Sequence, residues 1–102
     1  MSASENPWFK RRIHEVKSWP HLFEAIMAGQ KRHELRRNDR DYRVGDVLIL
    51  REYLPASGEY SGRQLTVEVT YLTSTSTPCA ISDSVLMDGY CILSVRLLEG
   101  EE

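Results

Sequence analysis

A chain of 102 residues with 41% hydrophobic and 27% charged side chains has room for one domain and one modest core, which excludes a two-domain layout and the fibrous and disordered classes. No apolar run reaches the roughly 20 residues needed to span a bilayer, and the polar stretch from Met1 to Pro7 lacks the apolar segment of a secretion signal. The expectation is a monomeric cytoplasmic protein with no membrane partner. The net charge of −2 argues against a general nucleic-acid binder, but residues 1–43 hold ten of the thirteen Lys and Arg against six of the fifteen acids. A local positive surface can therefore form on an acidic chain.

Residues 1–12, with Lys10-Arg11-Arg12, read as a flexible basic arm. His14 to Ser18 alternates loosely and predicts a first strand, which Trp19-Pro20 ends. Proline is tolerated in a first helical turn, and Leu22, Phe23, Ile26 and Met27 then form an i, i+1, i+4, i+5 stripe that predicts a helix over about 20–28. Trp19, beside the helix start, reads as a core residue. Gly29 is a natural helix stop. His33 to Asn38 predicts a strand with Leu35 toward the core and Glu34 and Arg36 sharing the opposite face.

Asn38 to Arg43 is polar and turn-like. Asp46 to Tyr53 is the strongest strand signal, because Val47, Leu48, Ile49 and Leu50 are apolar on both faces. Pro55 to Gly62 reads as a loop, and Arg63 to Thr73 as the second arm of a long hairpin. Ser74 to Asp88 is a long irregular connection, Tyr90 to Leu98 the last strand, and residues 99–102 an acidic tail. The sum is an α+β, mainly β fold: a small barrel of about five antiparallel-type strands with one helix flanking or plugging it. Cys79 and Cys91 read as free thiols, and His14, His21 and His33 lack metal-ligand spacing, so neither metal nor cofactor is expected.

Chemistry concentrates in Gly29-Gln30-Lys31-Arg32-His33-Glu34-Leu35-Arg36. Lys31, just past a helix C-terminus, is a point charge for phosphate, and Arg36 offers a planar fork for a phosphate or base edge. Glu34 either accepts from a base amino group or holds Arg36 in place. Arg37 and Arg40 either line an anion site or solvate a loop while pairing with Asp39 and Asp41. Trp19, Tyr42, Tyr53 and Tyr60 are the aromatic candidates for stacking on unpaired bases. Tyr42, in a polar loop, reads as either simply exposed or a stacking platform.

Trp19-Pro20, Phe23-Glu24-Ala25-Ile26, Gly29-Gln30-Lys31, Glu34 to Arg40, Val44-Gly45-Asp46, Leu50 to Tyr53, Tyr60 to Arg63 and Gly89 to Ser94, in that order, resemble the ASCH superfamily over about residues 13–98. Within it the chain looks most like the bacterial and phage DUF3850-like domains of unknown function. The resemblance implies a single PUA-like β-barrel over 13–98, with a cleft at the helix-to-strand junction that binds RNA or a nucleotide. Some ASCH members deacetylate N-acetylated cytidine with the motif lysine, a threonine and a carboxylate from a later insertion. Lys31 matches that lysine, Glu34 stands at the threonine position, and residues 74–88 hold only Asp83 and Asp88 as carboxylates.

Three functions are therefore expected, the first preferred. One is an RNA- or nucleotide-binding module using Lys31, Glu34, Arg36, Arg37, Arg40 and Tyr42. Another is a small amidohydrolase acting on an acylated cytidine-type nucleoside, with Lys31 and Glu34 catalytic. The last is a phage or bacterial protein-interaction module with a protein partner.

Overall fold

The Trp19-Pro20 step turns the chain from strand to helix. A proline restricts the residue before it to extended backbone, and Trp19 adopts φ −73°, ψ 152°. Strand β1 (Ile13–Ser18) ends there, and helix α1 (Pro20–Met27) starts with proline in its first turn. The helix buries Phe23 and Ile26, while Leu22 of the expected stripe stays exposed. It stops in a Schellman arrangement: Gly29 N–H donates to the Ile26 carbonyl at 3.0 Å and Gln30 N–H to the Ala25 carbonyl at 2.9 Å. Gly29 itself sits at φ +79°, where a side chain would be strained.

The computed structural model describes residues 11–81 and 85–100. Strands β2 (His33–Arg37), β3 (Val47–Leu54), β4 (Glu59–Ser74) and β5 (Tyr90–Gly100) join β1 in one sheet of order β1-β3-β4-β5-β2. Register shifts at Arg51/Tyr53, Thr66/Val67 and Val69/Tyr71 mark bulges, which bend and twist strands. They accompany the curl of the sheet into a half-barrel, and α1 packs inside it against β3 and β5. The core of Phe23, Ile26, Leu48, Leu50, Leu65, Val67, Val69 and Leu93 lies between helix and sheet. Among the described residues no helix is long and apolar enough to cross a membrane.

The mainly β fold with one helix is as expected, with four differences in detail. β1 pairs with β3 in parallel rather than antiparallel fashion; α1, β2 and the loop after it supply the long crossover that a parallel neighbour requires. The expected loop at Pro55–Gly62 is shorter, because Tyr53 and Leu54 pair with Tyr60 and Glu59 and extend the hairpin. The expected tail begins later too, since Glu99 and Gly100 still pair with Thr66 and Leu65. Residues 1–10 of the expected arm lie outside the described residues, as do Asp83 and residues 101–102, but Arg11 pairs with Glu68 at 2.8 Å and Arg12 donates to the Arg40 carbonyl at 2.7 Å. Those two arginines are docked.

A buried carboxylate ties the helix to the sheet. Glu52, at the β3 bulge, accepts from Arg63 Nε and Nη2, both at 2.9 Å, and from Ser61 Oγ at 2.7 Å. Arg63 also reaches Glu24 on α1 at 2.6 Å and lies over the Phe23 ring. The Arg63 guanidinium, opposed by burial and helped by Ser61, holds the Glu52 carboxyl below its ordinary value of 4.5. A carboxylate with a depressed folded-state pKa stabilises fully above the unfolded value, and that contribution is lost as pH falls through the folded one. Glu52→Gln is therefore expected to cost about 1–2 kcal/mol at pH 7 in urea unfolding. The gap to the unaltered protein should narrow steadily below about pH 4.5.

Candidate functional site

Strand β2 is an edge, and its one hydrogen-bonded neighbour decides which way its side chains face. Glu34 is register partner to Leu93 and Arg36 to Cys91, and both partners on β5 are fully buried. Glu34 and Arg36 do share a face, but it is the inner one. Glu34 is 6% exposed, whereas Leu35, expected in the core, is 62% exposed. The charged face can turn inward because its groups satisfy one another. Glu34 Oε1 accepts from Arg36 Nε at 3.1 Å and Oε2 from Lys31 Nζ at 3.2 Å. Lys31 Nζ also donates to the His33 carbonyl, and Arg36 Nη2 to the Lys17 carbonyl at 2.7 Å. The Schellman turn delivers Lys31 beside Glu34, and Arg36 spans from β2 to β1.

Around this trio opens a cleft of about 470 Å3, lined by Lys17, Trp19, Leu22, Lys31, His33, Glu34, Leu35 and Arg36. Glu34 is the one buried residue of these eight. An ionised carboxylate offers about four acceptor positions, and two are occupied here, which leaves lone pairs for an incoming donor. Trp19 is not in the core but 51% exposed. The extended backbone that Pro20 imposes on it throws the indole off the buried helix stripe.

A second pocket of about 280 Å3 shares Lys17 and Arg36 and adds Glu15, Val16, Arg40, Arg51 and Tyr60. Arg40 Nη1 donates to the Glu15 carbonyl at 2.6 Å, a second bridge onto β1. The structure thus brings together Lys31, Glu34 and Arg36, with Arg40 in the adjoining pocket. Arg37 and Tyr42 stand apart from both. Arg37 lies on the outer face of β2, donating to the Tyr90 hydroxyl at 3.2 Å. Tyr42 is neither exposed nor a stacking platform: it is 3% exposed, with His14 edge-on to its ring at 4.9 Å. Asn38 Oδ1 accepts its backbone N–H at 2.9 Å and draws it inward, and burial pushes its phenol above the ordinary range.

Lys17, Trp19 and Arg51 line these cavities without having been singled out as site residues by sequence, apart from the stacking role considered for Trp19. Two signals point to the first two: the restriction proline places on residue 19, and the alternation Val16-Lys17-Ser18, which puts Lys17 on the outer side of β1; Arg51 is brought in only by its register with Lys17.

The profile of a domain of unknown function, DUF3850, matches residues 13–95. The chain belongs to the DUF3850 family. The matched span includes every residue lining the two pockets. A phage relative is also found: the "Uncharacterized 12.9 kDa protein in GpA 3'region" of Escherichia phage P2 is 40% identical over 65 residues. That match covers 64% of this chain and 58% of the phage protein's length.

Arg36 has two acceptors on two strands, and an ammonium cannot reproduce its fork. Arg36→Ala is expected to lower stability by about 1–3 kcal/mol in urea unfolding. Arg36→Lys should fall between the two. An unchanged midpoint for Arg36→Ala would show that the bridge contributes nothing to the fold.

Proposed function

We propose that this DUF3850 domain is a PUA-like module of the cytoplasm that binds RNA or a nucleotide in the cleft between β1 and β2. The observation that carries the reading is a half-exposed Trp19 ring beside a buried carboxylate fixed by two cations. Unstacked bases lie on aromatic planes, and their edges are read by hydrogen bonds. In this reading the base stacks on Trp19, and an exocyclic amino group donates to a free lone pair of Glu34. Lys31 and Arg36 supply the positive field, and Arg40 extends it into the adjoining pocket. Arg37 and Tyr42 have no part in it.

A second reading rests on Lys31 and Glu34 standing 3.2 Å apart in one cleft: hydrolysis of an acylated cytidine-type nucleoside. Turnover of such a substrate that disappears in Lys31→Ala would favour it over binding alone.

Trp19 supplies its own probe. With Trp8 replaced by Phe, the other of the two tryptophans is gone, and indole emission reports on residue 19. Titration with single-stranded RNA and a nucleotide panel at low salt is expected to quench it, with affinity falling as salt rises. Glu34→Gln should weaken binding about tenfold, the usual order for one charged hydrogen bond. Emission that no probe alters would overturn the reading.

A further inference from the structure

The second pocket gathers more positive charge than its fold contacts call for: Arg36 and Arg40 bridge onto β1, whereas Lys17 and Arg51 make no such bridge among the described residues. Lys17 and Arg51 are register partners on adjacent strands, and like charges placed opposite one another are destabilising. Arg36 and Arg40 then reach into the same pocket from β2 and the loop after it. Against these four cations the pocket lining holds one carboxylate, Glu15, 3.7 Å from Arg51. Arg36 is balanced by Glu34, but among the described residues no carboxylate lies within ion-pair distance of Lys17 or Arg40.

Aromatic rings hold the opposed cations in place instead. Lys17 Nζ sits 4.3 Å from the Tyr53 ring centre and the Arg51 guanidinium 4.0 Å from that of Tyr60, with the two tyrosines edge-to-face at 5.2 Å. Such contacts favour a cation without neutralising it. The guanidinium groups thus keep their capacity for an anion while their positions are set beforehand.

We infer that this pocket is a phosphate subsite for the ligand whose base occupies the Trp19 cleft. The inference rests on the base-binding reading above and deepens it. Lys17 and Arg36 line both cavities, so a ligand with its base on Trp19 can pass a phosphate over them toward Arg40 and Arg51. The ligand class is thereby a phosphorylated nucleoside, either a free nucleotide or a residue within a strand, and not an unphosphorylated nucleoside.

The experiment compares four nucleosides, their 5′- and 3′-monophosphates and trinucleotides without terminal phosphates, by calorimetry on the unaltered full chain and on Arg51→Gln. At least one phosphorylated probe is expected to bind about tenfold or more tightly than its nucleoside. Arg51→Gln should remove most of that gain, and Arg40→Gln, measured alongside it, should do the same and keeps the test open if Arg51→Gln fails to fold. A gain with monophosphates indicates a free nucleotide, and a gain with trinucleotides alone indicates a strand. Nucleosides that bind as tightly as every phosphorylated probe would overturn the subsite and leave the base cleft standing, as would a phosphate gain that survives both substitutions. Binding by no probe would remove both.

Discussion

Strands β1 and β2 each have a hydrogen-bonded neighbour on one side only, and arginine side chains stand where further ladder would otherwise be. Arg36 donates to the Lys17 carbonyl and Arg40 to the Glu15 carbonyl, alternate acceptors on the free side of β1. An open edge is a liability that proteins cover or charge. A backbone ladder would hold two strands about 4.8 Å apart and leave no space between them. Guanidinium bridges hold the edges over a longer reach, and the space that remains is the pair of pockets on either side of Arg36. The bridging of the two sheet edges and the cleft between them are two results of one substitution of side chain for backbone.

The same bridge settles the electrostatics. A carboxylate taken out of water is costly unless paired and hydrogen-bonded. Glu34 meets that condition only because Lys31 arrives from the helix turn and Arg36 from its own strand face. The stabilising groups therefore remain at the cleft surface, polar and fixed in position. Glu52 with Arg63 and Ser61 shows the contrasting case, in which a buried carboxylate is tied to both the hairpin and, through Arg63, the helix.

How much of this the residues announce depends on what alternation and punctuation can encode. The helix stop at Gly29, the doubly apolar run of Val47 to Leu50 and the cluster of cations near residue 31 are local patterns, and the structure reproduces them. The sense of β2 is different. Alternation in His33-Glu34-Leu35-Arg36-Arg37 tells which side chains share a face, but with one apolar residue among five it cannot tell which face is inside. The register with Leu93 and Cys91 decides that, and register is a tertiary fact. Tyr42 is likewise drawn inward by Asn38 and His14, partners that its polar neighbours in sequence do not suggest. The parallel pairing of β1 with β3 leaves no periodic trace at all.

If the gap bridged by Arg36 is where the ligand sits, perturbation by a bound nucleotide must centre there. Titration of the 15N-labelled protein with a nucleoside monophosphate, followed by backbone amide and Trp19 indole signals, addresses this most directly. Shifts are expected to concentrate at Lys17, Trp19, Lys31, Glu34 and Arg36, extending to Arg40 and Arg51. Shifts confined to the outer apolar surface of Val85, Met87 and Tyr90 would contradict this and mark that face as the docking surface instead.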